Sequence, residues 1–178
     1  MIIILAAMAE KNRAIGKNEK LPWNLPEEID FFKRITAGHV LVMGKKTYHR
    51  IGRLPGRTTV LVSRTLKPDG CLWANCFQDG LEEAQFEANR AQPRKLVFLV
   101  GGHQIFQEGL DFADKIFLTT VKGDFEGDVF FPEIPEETFI LDSITPHNDY
   151  DIRIYSRREG FHYGSGNDTS KATPEVPG

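Results

Sequence analysis

The chain opens on an unbroken apolar run, Met1 to Ala9, with three consecutive Ile inside it. A short run rich in a β-branched residue predicts a strand, Ile2–Met8, buried on both faces. Glu10, Lys11 and Arg13 then start a polar segment that reaches Lys20 and contains Gly16. Pro22-Trp23-Asn24-Leu25-Pro26 forms a stiff connector. Pro26 suits a first helical turn, and Glu27, Glu28 and Asp30 favour its positive end. Ile29, Phe32 and Ile35 keep helical spacing up to a stop at Gly38. Beyond it the pattern predicts a strand Val40–Met43, a short helix Gly44–Arg50, a turn at Leu54-Pro55-Gly56 and a β-branched strand Thr58–Val62. A strand Cys71–Phe77, a helix Gly80–Arg90 and a strand Leu96–Val100 follow. Gly101-Gly102 breaks that strand before a helix Gln104–Leu110. Lys115–Val121, Phe139–Thr145 and Ile152–Arg158 read as three closing strands.

Alternating strands and helices imply an α/β fold with helices on both faces of a mostly parallel sheet. The expectation is one three-layer α/β/α domain of about eight strands and about four helices, with an antiparallel C-terminal edge. Ligands bind such sheets at the carboxyl ends of the strands. Residues 164–178 hold Gly, Ser, Asn, Thr and Pro with almost no bulky apolar side chain, so a flexible polar tail is expected after a domain spanning 1–163.

Composition narrows the classes. At 178 residues, 40 % apolar and 26 % charged, the chain has the make-up of a globular domain, which excludes disorder, collagen and coiled coil for the whole. A net charge of −3 speaks against a broad nucleic-acid surface but leaves room for a local basic pocket. Cys71 and Cys76 match neither a redox CxxC nor a zinc spacing and read as reduced thiols of a cytoplasmic protein. Met1–Ala9 is too short for a secretory or membrane-spanning segment.

Common site motifs fail one by one. Gly44-Lys45-Lys46-Thr47 has Lys where a P-loop needs Ser or Thr, and His39 where it needs its first Gly. Val100-Gly101-Gly102-His103-Gln104-Ile105-Phe106 lacks the third Gly of a dinucleotide turn. It reads either as a helix start aimed at a phosphate or as a tight strand-to-helix turn. The five histidines are scattered with no HxxxH pair, so no metal is expected, and no Gly-x-Ser-x-Gly elbow is present.

Several segments taken in order resemble the dihydrofolate reductase family from Met1 to about Arg158. They are Ala6-Ala7, Ile15-Gly16, Leu21-Pro22-Trp23-Asn24-Leu25-Pro26-Glu27-Glu28, Phe31-Phe32-Lys33, Val42-Met43-Gly44-Lys45-Lys46-Thr47-Tyr48 and Ile51-Gly52-Arg53-Leu54-Pro55-Gly56-Arg57. Gly101 to Phe106, Leu118-Thr119 and Glu126-Gly127-Asp128-Val129-Phe130-Phe131-Pro132 complete the set. The resemblance implies reduction of 7,8-dihydrofolate to tetrahydrofolate with NADPH, which supplies one-carbon carriers for thymidylate and purine synthesis. It implies a cytoplasmic monomer that binds antifolates, with no nucleic-acid or membrane partner.

It also assigns roles. A carboxylate is the natural fork for the pterin's amino group and ring N–H, and the motif places Glu28 there. Glu27 lies about 100° round the helix and cannot face the same pocket. Burial would raise the pKa of Glu28, as proton handling at neutral pH requires; the local sequence alone favours a solvated carboxylate in a first turn, and the resemblance reverses that. Thr119 matches the threonine behind that acid, and Trp23 the tryptophan that holds a water; an ordinary strand Thr and an aromatic packing anchor are the plain alternatives. Arg57 resembles the arginine that grips the α-carboxylate of the glutamate tail, with Arg53 a weaker candidate. Leu5, Ala6, Leu21, Phe32, Ile51, Leu54 and Val100 would line the substrate. For NADPH, the implied set is Ala7, the loop Ala14, Ile15, Gly16, Lys17, Asn18, Glu19 and Lys20, then Gly44, Lys45, Lys46, Thr47, Ser63 and Arg64. Val100, Gly101, Gly102, His103, Gln104, Ile105 and Phe106 complete it. The loop is expected to close over the nicotinamide with Gly16 giving it freedom, and the Gly101–Gly102 bond to be cis. Phe106 departs from the family, where many members carry a tyrosine. A pyrimidine reductase on the same fold and a non-catalytic NADPH-binding protein are the competing readings.

Overall fold

The apolar run at the N-terminus becomes the middle of an eight-stranded sheet in a computed structural model that describes residues 1–160. The expected tail, 164–178, lies outside the described residues. In chain order the first elements are β1 (Ile2–Ala9), β2 (Ala14–Gly16), α1 (Pro26–Thr36), β3 (Val40–Gly44), α2 (Lys45–Ile51), β4 (Thr58–Val62) and β5 (Leu72–Ala74). Then come α3 (Phe77–Arg90), β6 (Val97–Leu99), α4 (His103–Gly109), β7 (Lys115–Val121), β8 (Val129–Phe130), β9 (Phe139–Pro146) and β10 (Tyr150–Arg157).

The sheet order is β5-β4-β3-β6-β1-β7-β10-β9. β1 pairs in parallel with β6 and β7, with Ile4 opposite Leu99 on one side and Ile116 on the other. A strand flanked on both sides and covered on both faces can be apolar throughout, which is why Met1–Ala9 shows no alternation. The expected antiparallel C-terminal edge is present: β10 runs against β7 and against β9. The outermost strand, β9, therefore runs with the rest, and the reversed strand is next to last.

Alternate residues of the same strands feed two cores. Ile2, Ile4, Val40, Val42, Val97 and Leu99 pack one way, against Leu81 and Ala84 of α3 and Ile105 and Phe106 of α4. Ile3, Leu5, Leu41, Met43, Phe98 and Val100 pack the other way, against Phe31, Phe32 and Ile35 of α1 and Tyr48 and Ile51 of α2. These two layers of helices with the sheet between them are the expected three-layer architecture. α3 comes close enough that a Cβ on Gly80 would stand 2.7 Å from a Val62 methyl.

Helix α3 starts at Phe77, earlier than Gly80, and takes the end of the segment read as a strand. The small sheet of β2 with β8 had no counterpart in the pattern, because strands of three and two residues cannot show a period.

Candidate active site

Helix α1 presents its first turn to the carboxyl ends of β1 and β7. It lacks a side-chain cap, begins with Pro26, and turns Glu28 inward and Glu27 outward. Glu28 is only 9 % exposed. Burial lifts its carboxyl above the ordinary glutamate range, and the guanidinium of Arg50 pulls the other way more weakly. The carboxylate accepts no hydrogen bond and makes no ion pair among the described residues. Tyr150, at the start of β10, senses the same corner: its hydroxyl is pushed up first by burial, then by Glu27 and Glu28. A buried acid left without a partner is ready for a ligand that carries N–H groups.

Thr119 is buried on β7, in register with Ala7 of β1. Its hydroxyl does not bond the Glu28 carboxylate directly. Trp23 is buried and meets Phe125 edge-on, with ring centroids 5.6 Å apart. Its indole Nε1 is buried without a partner. The ring packs with Ala9, Ala14 and Val121, while the N–H remains an unsatisfied donor.

Arg57 is held by three acceptors. Nε donates to Thr36 Oγ1 at 3.3 Å, Nη1 to the Pro55 carbonyl at 2.6 Å, and Nη2 to the Lys33 carbonyl. A guanidinium has five N–H donors, so a planar fork remains for a carboxylate, already oriented by α1 and the turn. Arg53 lies elsewhere: its guanidinium covers Gly70, where a Cβ would stand 2.5 Å from Nη1. Leu5, Phe32, Ile51, Leu54 and Val100 share one cluster, as a substrate wall requires. Leu21 joins the cluster of Trp23 and Ala7. Ala6 turns its methyl to the opposite core, so of the expected apolar lining Ala6 and Leu21 do not join that wall.

Beyond the carboxyl end of β6, the Gly101–Gly102 bond is cis. The Gly101 carbonyl accepts from Gly44 N at 2.8 Å, which binds the two glycine turns together. Gly101 has φ of +117°, and a Cβ there would meet the Phe106 ring at 3.2 Å and Thr47 Oγ1 at 3.3 Å. Only glycine fits both the backbone and the space, and the surface it leaves is bare backbone. Ile105 Cγ1 lies beside Gly44, and Phe106 is buried against Phe131 at 5.0 Å between centroids. Gln104 is exposed, and His103 Nδ1 lies 2.7 Å from the Phe130 carbonyl.

The cations stand apart from acids. Lys45, Lys46 and Arg64 are exposed, and none forms an ion pair among the described residues. Lys45 Nζ reaches Thr65 Oγ1 at 3.3 Å. Buried Ser63 accepts from the N–H groups of Thr65 and Leu66, which fixes the turn that carries Arg64. Unneutralised cations beside bare glycine backbone fit a phosphorylated dinucleotide.

The loop reading needs one correction. Gly16 sits in β2 with no left-handed φ; the bends are at Asn18 and Glu19, with φ of 50° and 62°. The segment is tied to the 124–130 stretch, with Asp128 N donating to Gly16 O at 2.9 Å and Asn18 N to Asp128 Oδ2 at 3.0 Å. Lys17 adds an exposed ion pair with Glu126. Ala14 is buried, Ile15 half-buried, and Lys20 pairs back to Lys17. Asp128, Tyr150 and Arg50 were not singled out by sequence reasoning. Hollows lined by Glu133, Ile134, Glu136 and Phe139 contain none of the site residues. No metal-ligating group of three is found among the described residues.

The comparisons agree with this geometry. A family profile described as dihydrofolate reductase matches residues 1–157. The chain is 34 % identical over 177 residues to a dihydrofolate reductase of Bacillus subtilis, covering 92 % of this chain and 99 % of that one. With one of Haemophilus influenzae it shares 32 % over 161 residues, 86 % and 96 % of the two. A solved dihydrofolate reductase of Enterococcus faecalis, complexed with NADP(H) and RAB-propyl, superposes with a TM-score of 0.79 at 29 % identity, covering 89 % of this chain and 97 % of that one. With a profile match over most of its length, the chain belongs to the dihydrofolate reductase family.

Proposed function

We propose that the protein reduces 7,8-dihydrofolate to 5,6,7,8-tetrahydrofolate with NADPH. The observation that carries this reading is the partnerless, buried Glu28, lifted in pKa, at the mouth of a cleft whose other wall is cationic and glycine-lined. NADPH supplies the hydride, which goes to pterin C6 while N5 gains a proton from solvent.

Glu28 accepts the pterin's amino and ring N–H groups and fixes the ring's orientation. The ionised form accepts both N–H groups, and the raised pKa brings exchange of a proton with the carboxyl closer to neutral pH than for a surface glutamate. That proton supports the path to N5 through water, so turnover falls as pH rises past the raised pKa. Trp23 Nε1, an unsatisfied donor, holds that water, and Thr119 orders it from β7. Arg57 takes the tail carboxylate. Lys45, Lys46 and Arg64 take the 2′-phosphate and its neighbours, while Gly101 and Gly102 let the pyrophosphate approach the backbone. The 14–20 segment, pinned at Asp128, shields the nicotinamide from water. The enzyme acts as a cytoplasmic monomer of one domain and binds antifolates in the folate cleft; none of its helices is long and apolar enough to cross a membrane among the described residues.

Mixing the purified protein with NADPH and dihydrofolate tests the reading. A fall in NADPH absorbance, matched by tetrahydrofolate formed and blocked by methotrexate, is the expected result. A folded protein that binds NADPH and oxidises none of it with dihydrofolate contradicts it.

A further inference from the structure

Arg57 stands in a frame of hydrogen bonds that extends past its own side chain. Segment 36–39 is bonded to segment 56–58 through Gly38 N to Gly56 O at 2.9 Å, Thr58 N to His39 O at 3.1 Å, and Arg57 Nε to Thr36 Oγ1 at 3.3 Å. His39 N donates back to Thr36 O at 3.0 Å and closes the turn that follows α1. Thr36 is fully buried and donates its hydroxyl to Phe32 O. Arg57 is therefore aimed only as well as the 36–39 turn is fixed.

A histidine ties that turn to the sheet. His39 Nδ1 accepts from Leu96 N at 3.0 Å, at the entry to β6. Val40 N donates to Leu96 O at 3.1 Å, so Leu96 is gripped at both its N–H and its carbonyl. The His39 ring lies against Phe98, with centroids 5.7 Å apart. An acceptor at Nδ1 requires the neutral ring, with its proton on Nε2. A second proton would set an N–H against the Leu96 N–H and replace the bond by repulsion. The surroundings oppose that proton: loss of solvation, and then Lys95, hold the imidazole below the ordinary histidine value. α1 and β4 present Thr36 and Thr58 to the His39 backbone, β6 presents Phe98 to the ring, and the stretch before β6 presents Lys95, the charged group of this set. We propose that His39 is a positioning residue for substrate recognition: its bond to Leu96 holds the 36–39 turn, and through it Arg57, in the orientation that takes the tail carboxylate, and the hold is released in acid. This rests on the folate reading above. It makes recognition of the glutamate tail, separately from the pterin, depend on pH.

The test is the ratio of kcat/KM for dihydrofolate to that for 6-methyl-7,8-dihydropterin, which lacks the tail, from about pH 8 to about pH 4.5. Effects of Glu28 on the chemistry fall on both substrates and cancel in the ratio, and the tail carboxylate stays ionised over that range. The parent's ratio is expected to be level at high pH and to fall about three- to tenfold in acid. His39→Asn, whose amide oxygen replaces Nδ1 as acceptor and does not titrate, should keep the high ratio throughout. His39→Leu, with no acceptor, should show the low ratio at every pH, with thermal melts reporting that it is folded. A parent ratio level across the range, an acid fall that His39→Asn shares, or a folded His39→Leu with the parent's high-pH ratio overturns the proposal. A parent protein inactive with dihydrofolate at every pH would defeat the folate reading itself, a result distinct from these.

Discussion

The two walls of the cleft handle charge in opposite ways. On the substrate wall the acid is buried at 9 % exposure and Arg57 is fixed by three acceptors before any ligand arrives. On the cofactor wall the cations are exposed, and the buried part is glycine backbone. A desolvated, oriented charge gives directional selectivity, whereas solvated cations give attraction that salt screens. Under the proposed function, the comparison makes pterin recognition depend on a few fixed groups, and cofactor recognition on shape plus a distributed field.

Substitutions can break that contrast, and the largest effect belongs to Glu28. Glu28→Gln should keep NADPH affinity and lose turnover by about a hundredfold or more at neutral pH, measured by steady-state NADPH oxidation. Its stability should move the other way. Because burial raises the folded-state pKa, the carboxyl costs stability once pH rises through that value and costs none below the unfolded pKa. Glu28→Gln should therefore melt higher than the parent at neutral pH, with the gap closing in acid.

Gly101→Ala comes next. The new methyl would crowd Phe106 and Thr47 at a φ of +117°. A cost of about 1–3 kcal/mol is expected, seen in thermal melts, with NADPH affinity down by about tenfold or more. Arg57→Leu should weaken dihydrofolate by about ten- to a hundredfold and leave pterins without a glutamate tail nearly unchanged. The smallest effects belong to the exposed cations. Lys46→Gln should raise KM for NADPH by only a few-fold, and the difference from the parent should shrink as salt rises. A large, salt-independent loss there would dissolve the contrast between the walls.

Most of this was legible in the chain because its signals are long or chemically strict. The apolar run before Glu10 declares a doubly covered strand, and Pro26 with Glu27 and Glu28 declares a helix start. The inward turn of Glu28 rather than Glu27 followed from the resemblance and from helix geometry, and the burial agrees. What escaped depends on long-range contact. The β2–β8 pairing joins residues more than a hundred apart through strands too short for any period. Gly16 looked like a hinge because glycine permits one, yet the backbone bends at Asn18 and Glu19. Ala6 was assigned to the substrate by its place in the motif, but strand alternation sends its methyl to the other core. Arg50, in the last turn of α2, carries no local signal of its own. Only the packing of α2 across from α1 reveals that it faces an acid.

The central claim is that the cleft is built around a buried acid with a raised pKa. Carbon-13 NMR titration of the Glu28 carboxyl in the free protein, assigned by comparison with Glu28→Gln, tests it most directly. The account predicts a midpoint above that of an ordinary glutamate, moving higher still in Arg50→Gln. A midpoint at or below the ordinary value would contradict it.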